Sequence, residues 1–303
     1  IAELSKMRDA WWKQKACEIQ AASDVKNAGL LYKLLRDVYG TTASMIAPVK
    51  SKDGKEMHCG SVAILNRWRE HFECLLNQPT EVDPAVLNSI SSRSVMQTLD
   101  EPPSLDEVTL AIRKLKNRRA PGADGINAEL IMCGGERVCI QMHALFCTIW
   151  ETETIPEDWR DALMVVLYKG KGSKADCGNW RGISLLSVVG KALARIILDR
   201  VIKLLAAYDV LPETQCGFCS GRSTTDMVFN VRQLQEKCIE QQVGLLQVFV
   251  DLEKAFDSMN RVVLWEILRK LGCPSRFVNI LRSFHSDMRA WVSVRGEVSA
   301  PFF

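Results

Sequence analysis

The chain has 303 residues, 47% of them hydrophobic and 25% charged, with a net charge of +3. This is globular composition, long enough for a sizeable core, and it excludes a disordered or fibrous protein. No uninterrupted apolar run reaches the roughly 20 residues of a membrane-crossing helix, and the start, which mixes charges with apolar residues, lacks the plan of a secretory signal. Eleven cysteines, an odd number without framework spacing, read as reduced thiols of an intracellular protein, expected in nucleus and cytoplasm. The chain begins with Ile1 rather than Met, as a fragment of a longer product does.

In chain order, helical spacing of apolar residues predicts helices over Trp11 to Ala22, Leu30 to Tyr39 and Ser61 to Leu76. A turn at Ser51 to Lys55 separates the second from the third. His58, Cys59, His71 and Cys74 lack the second ligand pair of a zinc site and read as core or surface positions. Residues 79–103 are polar and proline-punctuated, which sets the expected domain boundary at 95/96. Ser104 and Glu107 form a capping box before Leu105, Val108, Ile112 and Leu115. Helices are expected near Asn127 to Cys133 and Arg137 to Thr152, after the turn Ala120-Pro121-Gly122-Ala123-Asp124-Gly125. Ala162 to Tyr168 and Trp180 to Ser184 read as two strands joined by the basic tip Lys169 to Lys174. Helices are expected at Val188 to Ala206, Thr225 to Gln241 and Arg261 to Leu271, the last with Asn260 as N-cap. Leu245 to Leu252 and Trp291 to Arg295 read as strands.

Charge is uneven. Residues 160–203 hold nine lysines and arginines against three acids, a local +6, so the rest nets −3. A second basic cluster, Arg113, Lys114, Lys116, Arg118 and Arg119, lies upstream. Such concentration suits a phosphate-rich partner, with a solvated helix face as the plain alternative. The sharpest chemical feature is Phe249-Val250-Asp251-Leu252-Glu253-Lys254-Ala255-Phe256-Asp257. On a strand, Asp251 shares a face with Phe249 and Gln247, while Leu246, Val248 and Val250 face the other way. A carboxylate so placed can hold a divalent metal together with substrate phosphates. It can equally be an N-cap or a salt-bridge acid.

That stretch resembles motif A of reverse transcriptases, in the form found in non-long-terminal-repeat (LINE-type) retrotransposons. The same family carries, in the same order, the turn at Ala120 to Gly125, the loop at Lys169 to Lys174, the strand at Arg181 to Leu186, and the segment Gln215 to Asp226. The resemblance covers about two thirds of the chain, from Pro103 onward. It implies an α+β fold: a helical N-terminal extension, 1–95, then right-hand polymerase fingers and the first part of the palm, 96–303. It implies RNA-directed DNA polymerase activity, dNTP as substrate, two Mg²⁺ ions in the intact enzyme, and an RNA template with a DNA primer or target as partners. Carried over, Asp251 is the catalytic metal-binding aspartate and the Leu252 carbonyl completes the metal shell. Phe256 is the aromatic gate under the incoming sugar. Lys169 or Lys171, together with Arg181, grips the triphosphate, a task that suits a Lys point charge and an Arg fork. Gln215 and Arg222, with Phe218, match a segment near the template and nucleotide; for Phe218 alone, core packing is the expectation.

The sequence also departs from the family. Gly182 stands where Pro is common, and Cys219 where Arg is common, which removes a cation beside the template path. Cys216 and Cys219 have zinc or redox spacing but no second pair near them. The Gln-Gly and Tyr-x-Asp-Asp motifs are expected to follow Phe303, so this stretch alone is expected not to polymerise. A degenerate relic, or a nucleic-acid-binding protein reusing the fold, is the alternative function.

Overall fold

The computed structural model describes residues 2–39, 47–78, 83–252, 255–256 and 259–302, in two compact units, 1–47 and 48–303. In the first unit, α1 (Ala2–Asp24) and α2 (Ala28–Tyr39) pack on each other and bury Ala22 and Leu34. The turn between them places Lys26 at φ 52°, and Asn27 Oδ1 accepts from the Leu30 amide at 3.1 Å, capping α2.

The second unit opens with a hairpin of β1 (Val49–Lys50) and β2 (Met57–His58), closed by the expected turn, in which Gly54 takes φ 74°. Next come α3 (Ser61–Leu76), α4 (Pro84–Asn88) and a 3₁₀ turn at Gln97–Leu99. The capping box holds: Glu107 N donates to Ser104 Oγ at 3.2 Å and Ser104 N to Glu107 Oε2 at 2.9 Å, starting α5 (Leu105–Arg113). Then follow α6 (Ala128–Cys133), α7 (Gly135–Thr152), α8 (Glu157–Arg160), β3 (Ala162–Tyr168), β4 (Trp180–Leu185), α9 (Val188–Ala207), α10 (Thr224–Glu240), α11 (Arg261–Lys270), α12 (Ser275–His285), β5 (Ala290–Val294) and β6 (Glu297–Val298). The mixed helix-and-sheet class expected from the sequence is the class observed.

The helical core joins α5, α6, α7, α9, α11 and α12 around Val108, Phe146, Trp150, Leu193, Ile196 and Phe277. Arg200 is buried in it. Its guanidinium lies 5.0 Å from the Trp150 ring, pairs with Glu107 Oε2 at 2.7 Å, and donates to the Glu101 and Pro102 carbonyls. Burial works to raise the Glu107 pKa, but the Arg200 and Ser104 donors outweigh it and hold the carboxyl below its ordinary value.

The sheet has the order β4-β3-β5-β6. β3 runs antiparallel to β4 and parallel to β5, and β5 antiparallel to β6. Alternation puts Ala162, Met164 and Val292 on one face, where α3 supplies Phe72 and Trp68. Gly182 shares that face, and a Cβ there would lie 2.6 Å from Met164 Cε and 2.7 Å from Phe72 Cε1. Its use is therefore close approach.

Two expectations differ. The boundary expected at 95/96 falls inside a compact unit that begins at Pro48, because α3 covers the sheet and the 83–97 strap ties to α11. Arg93 N donates to Lys270 O at 2.8 Å and Met96 N to Gly272 O at 2.9 Å. Leu245 to Leu252, expected as a strand, belongs to no sheet. Leu246, Val248 and Val250, expected on the face opposite Asp251, are 89%, 78% and 80% exposed. A strand exists only against a partner, and no described segment pairs with this one.

Candidate nucleic-acid and nucleotide site

The β3–β4 hairpin ends in a tip whose carbonyls are claimed by its own side chains. Lys169 Nζ donates to Gly178 O at 2.7 Å, Asn179 Nδ2 to Ser173 O at 2.9 Å and Trp180 Nε1 to Lys174 O at 3.0 Å, while Tyr168 Oη donates to Gly172 O. Gly170 and Gly172 take φ 80° and 76°, as so tight a loop requires. The tip is braced from outside as well. Lys50 N donates to Ala175 O at 2.8 Å, Lys50 Nζ pairs with Asp176 at 3.2 Å, and the Trp180 ring lies edge-on to Trp68 at 5.5 Å.

This changes the roles of the three expected cations. Lys169 is a strut within the tip. Lys171 and Arg181 are exposed and have no hydrogen-bonding or ionic partner among the described residues. Arg181 projects, with Val165, Leu167 and Ile183, from the sheet face opposite α3, and those three apolar side chains are exposed too. An open apolar face edged by unpaired cations can receive a flat group carrying phosphates.

The other expected residues gather elsewhere. Arg222 Nη1 donates to the carbonyls of Gln215, at 2.9 Å, and Glu213, while Gln215 Nε2 donates to Gly217 O at 3.0 Å. Both side chains therefore hold the 213–222 loop. Phe218, expected in the core, is 91% exposed at φ 61°, and its ring meets Phe256 edge-to-face at 6.0 Å. Residue type gave no sign of this, since backbone direction is not a property of the side chain. Cys216 and Cys219 are free thiols, and no group of three metal-ligating side chains forms among the described residues.

Asp251 is exposed on the unpaired segment and is joined to none of these residues by a hydrogen bond or ion pair among the described residues. Its motif neighbours Glu253, Lys254 and Asp257 lie outside the described residues. One exposed carboxylate beside a backbone carbonyl fits part of a Mg²⁺ shell, which takes one or two protein carboxylates plus phosphates. It does not by itself fit two ions.

Residues 170–300 match the family described as reverse transcriptase (RNA-dependent DNA polymerase). Over these residues the chain belongs to the reverse transcriptase family. Its relatives place it in the non-long-terminal-repeat class. It is 34% identical, over 66% of its length, to a 115 kDa protein in the type-1 retrotransposable element R1DM of Drosophila melanogaster, of which it covers 19%. It is 26% identical over 73% of its length to "Probable RNA-directed DNA polymerase from transposon BS" of the same organism, covering 24% of that protein. To the RNA-directed DNA polymerase from mobile element jockey it is 25% identical over 65%, covering 21%. The chain thus spans about a quarter or less of these curated relatives. No described helix is long and apolar enough to cross a membrane.

Proposed function

We propose that the second unit, 48–303, holds the fingers and the first part of the palm of an RNA-directed DNA polymerase, and that the helices before it belong to a connector. The polymerase adds dNTPs to a primer 3′-hydroxyl on an RNA template. The observation that carries this reading is the open face of β3 and β4 with its unpaired Lys171 and Arg181, in a chain that also keeps Asp251 and Phe256 in motif order. Lys171 and Arg181 bind the triphosphate, the braced tip fixes where they stand, and Lys169 serves them as a strut. Sequence is chosen by base pairing, and the basic surface holds the template backbone with salt-dependent affinity. Phe256 walls off the sugar 2′-position.

Asp251 and the Leu252 carbonyl are the described residues that would hold Mg²⁺. When bound, two such ions supply activation of the primer hydroxyl and stabilisation of the leaving pyrophosphate.

The test uses a full-length polymerase carrying this chain. Asp251→Asn keeps shape and removes charge, so primer extension should fall by several orders of magnitude while the circular dichroism spectrum stays unchanged. Substantial extension by this variant overturns the metal role. In the same preparation, Lys171→Ala with Arg181→Ala should weaken primer–template binding and flatten its salt slope by about two contacts. Binding that survives in a parent unable to extend marks the relic reading.

A further inference from the structure

Phe256 lies on a turn with 75% of its surface exposed, close in sequence to the 245–252 segment, which joins no sheet among the described residues. A wall against a 2′-hydroxyl must stand still, yet an exposed phenylalanine on a turn is free to change rotamer. The ring that touches it among the described residues is Phe218, edge-to-face at 6.0 Å with an interplanar angle of 89°. Phe218 is itself almost wholly in water, so core packing does not account for it. Its φ of 61° is uncommon for an aromatic residue. Clamps on either side maintain that conformation: Gln215 Nε2 on Gly217 O, and Arg222 Nη1 on the Glu213 and Gln215 carbonyls. Pro212 O accepts from the Gln215 amide at 2.9 Å, closing the loop from the other end.

We infer that Phe218 is a positioning residue for sugar discrimination: the 213–222 loop presents its ring to Phe256 and fixes the orientation in which Phe256 excludes the 2′-hydroxyl. Gln215 and Arg222 serve this purpose indirectly, by spending their donors on the loop. This rests on the reading of Phe256 as the gate. It adds a residue and a loop that the gate depends on.

The experiment measures the ratio of dNTP to rNTP incorporation in a full-length polymerase carrying this chain, for the parent, Phe218→Ala, Phe218→Tyr, Phe256→Ala and the double variant. Because Phe218 is exposed, its replacement leaves the core untouched. Phe218→Ala should lower the ratio about threefold to tenfold, the range an aromatic pair commands. Phe218→Tyr, which keeps the ring, should stay near the parent. The double variant should discriminate no worse than Phe256→Ala alone, since one residue acts through the other. A lowered ratio in Phe256→Ala with an unchanged one in Phe218→Ala overturns the inference and leaves the gate standing. Equal, additive losses from the two sites also overturn it, because Phe218 then acts independently. If neither variant shifts the ratio, the gate reading fails and takes this inference with it.

Discussion

The helical body around Trp150 and the segment from Glu213 to Phe256 belong to one chain but obey different rules. In the body, polar groups are spent on packing. Trp150 is 0% exposed, its indole donates to Asp100 O at 2.9 Å, and Arg200 lies over its ring with every arm bonded. In the segment, α10 buries no residue, the apolar run that follows it stays in water, and the clamps on the loop are local. Stability lives in the first and the chemistry-bearing motif in the second. On the proposed function, a surface that receives nucleotide and template gains from leaving its groups unspent, and the body supplies the rigidity that such a surface lacks.

This contrast is sharpest where a large side chain is removed. Trp150→Ala should cost about 3–5 kcal/mol in a urea melt, whereas Val250→Ala in the exposed run should stay within about 0.5 kcal/mol. Comparable losses would mean that the run is packed in solution. A smaller effect is expected at Gly122, where a Cβ would sit 2.7 Å from Leu186 C and Ser187 N. Both are backbone atoms and cannot swing away, so Gly122→Ala should cost about 1–3 kcal/mol. A melt unchanged by Gly122→Ala would show that the 120–125 turn does not bear on the start of α9.

The mildest probe is acid. The Glu107 carboxyl titrates below its ordinary 4.5 in the folded protein, so its contribution is complete above that value and is lost as pH falls through the folded pKa. The melting temperature should therefore drop as pH is lowered from about 4.5. Glu107→Gln, which can still cap the helix, should melt lower at pH 7 and show a shallower acid limb. An acid limb identical to the parent's would remove Glu107 from the account.

Much of the body was legible because its signals are local. Ser61 to Leu76 declares itself by spacing, and Ser104 with Glu107 by capping chemistry, and both elements form where expected. The hairpin of β3 and β4 was legible for the same reason. The segment was less so. Leu245 to Leu252 has strand composition, but pairing belongs to two segments and cannot be read from one. α12, Ser275–His285, is absent from the expected helices: a proline after a helix marks its end, yet the φ of −61° at Pro274 serves equally at the start of the next. At the candidate site, the motifs name Asp251, Arg181, Phe256 and Lys171, and the side chains of Lys171 and Arg181 have no partner among the described residues. The strut role of Lys169 and the contact of Phe218 depend on where backbone turns bring distant atoms, which no spacing rule encodes.

The parallel register between β3 and β5 carries a consequence for how this chain is made. Asp161, just before β3, and Arg289, just before β5, meet across 128 residues of sequence. A ribosome adding roughly 5–20 residues per second has the β3–β4 hairpin out of its tunnel about 5–22 seconds before β5 follows. Throughout that delay the inner edge of β3 offers unpaired amides and carbonyls to any other nascent strand. Translation speed across α10 and α11, rather than any contact in the finished protein, therefore sets how long the newborn sheet is open to mispairing.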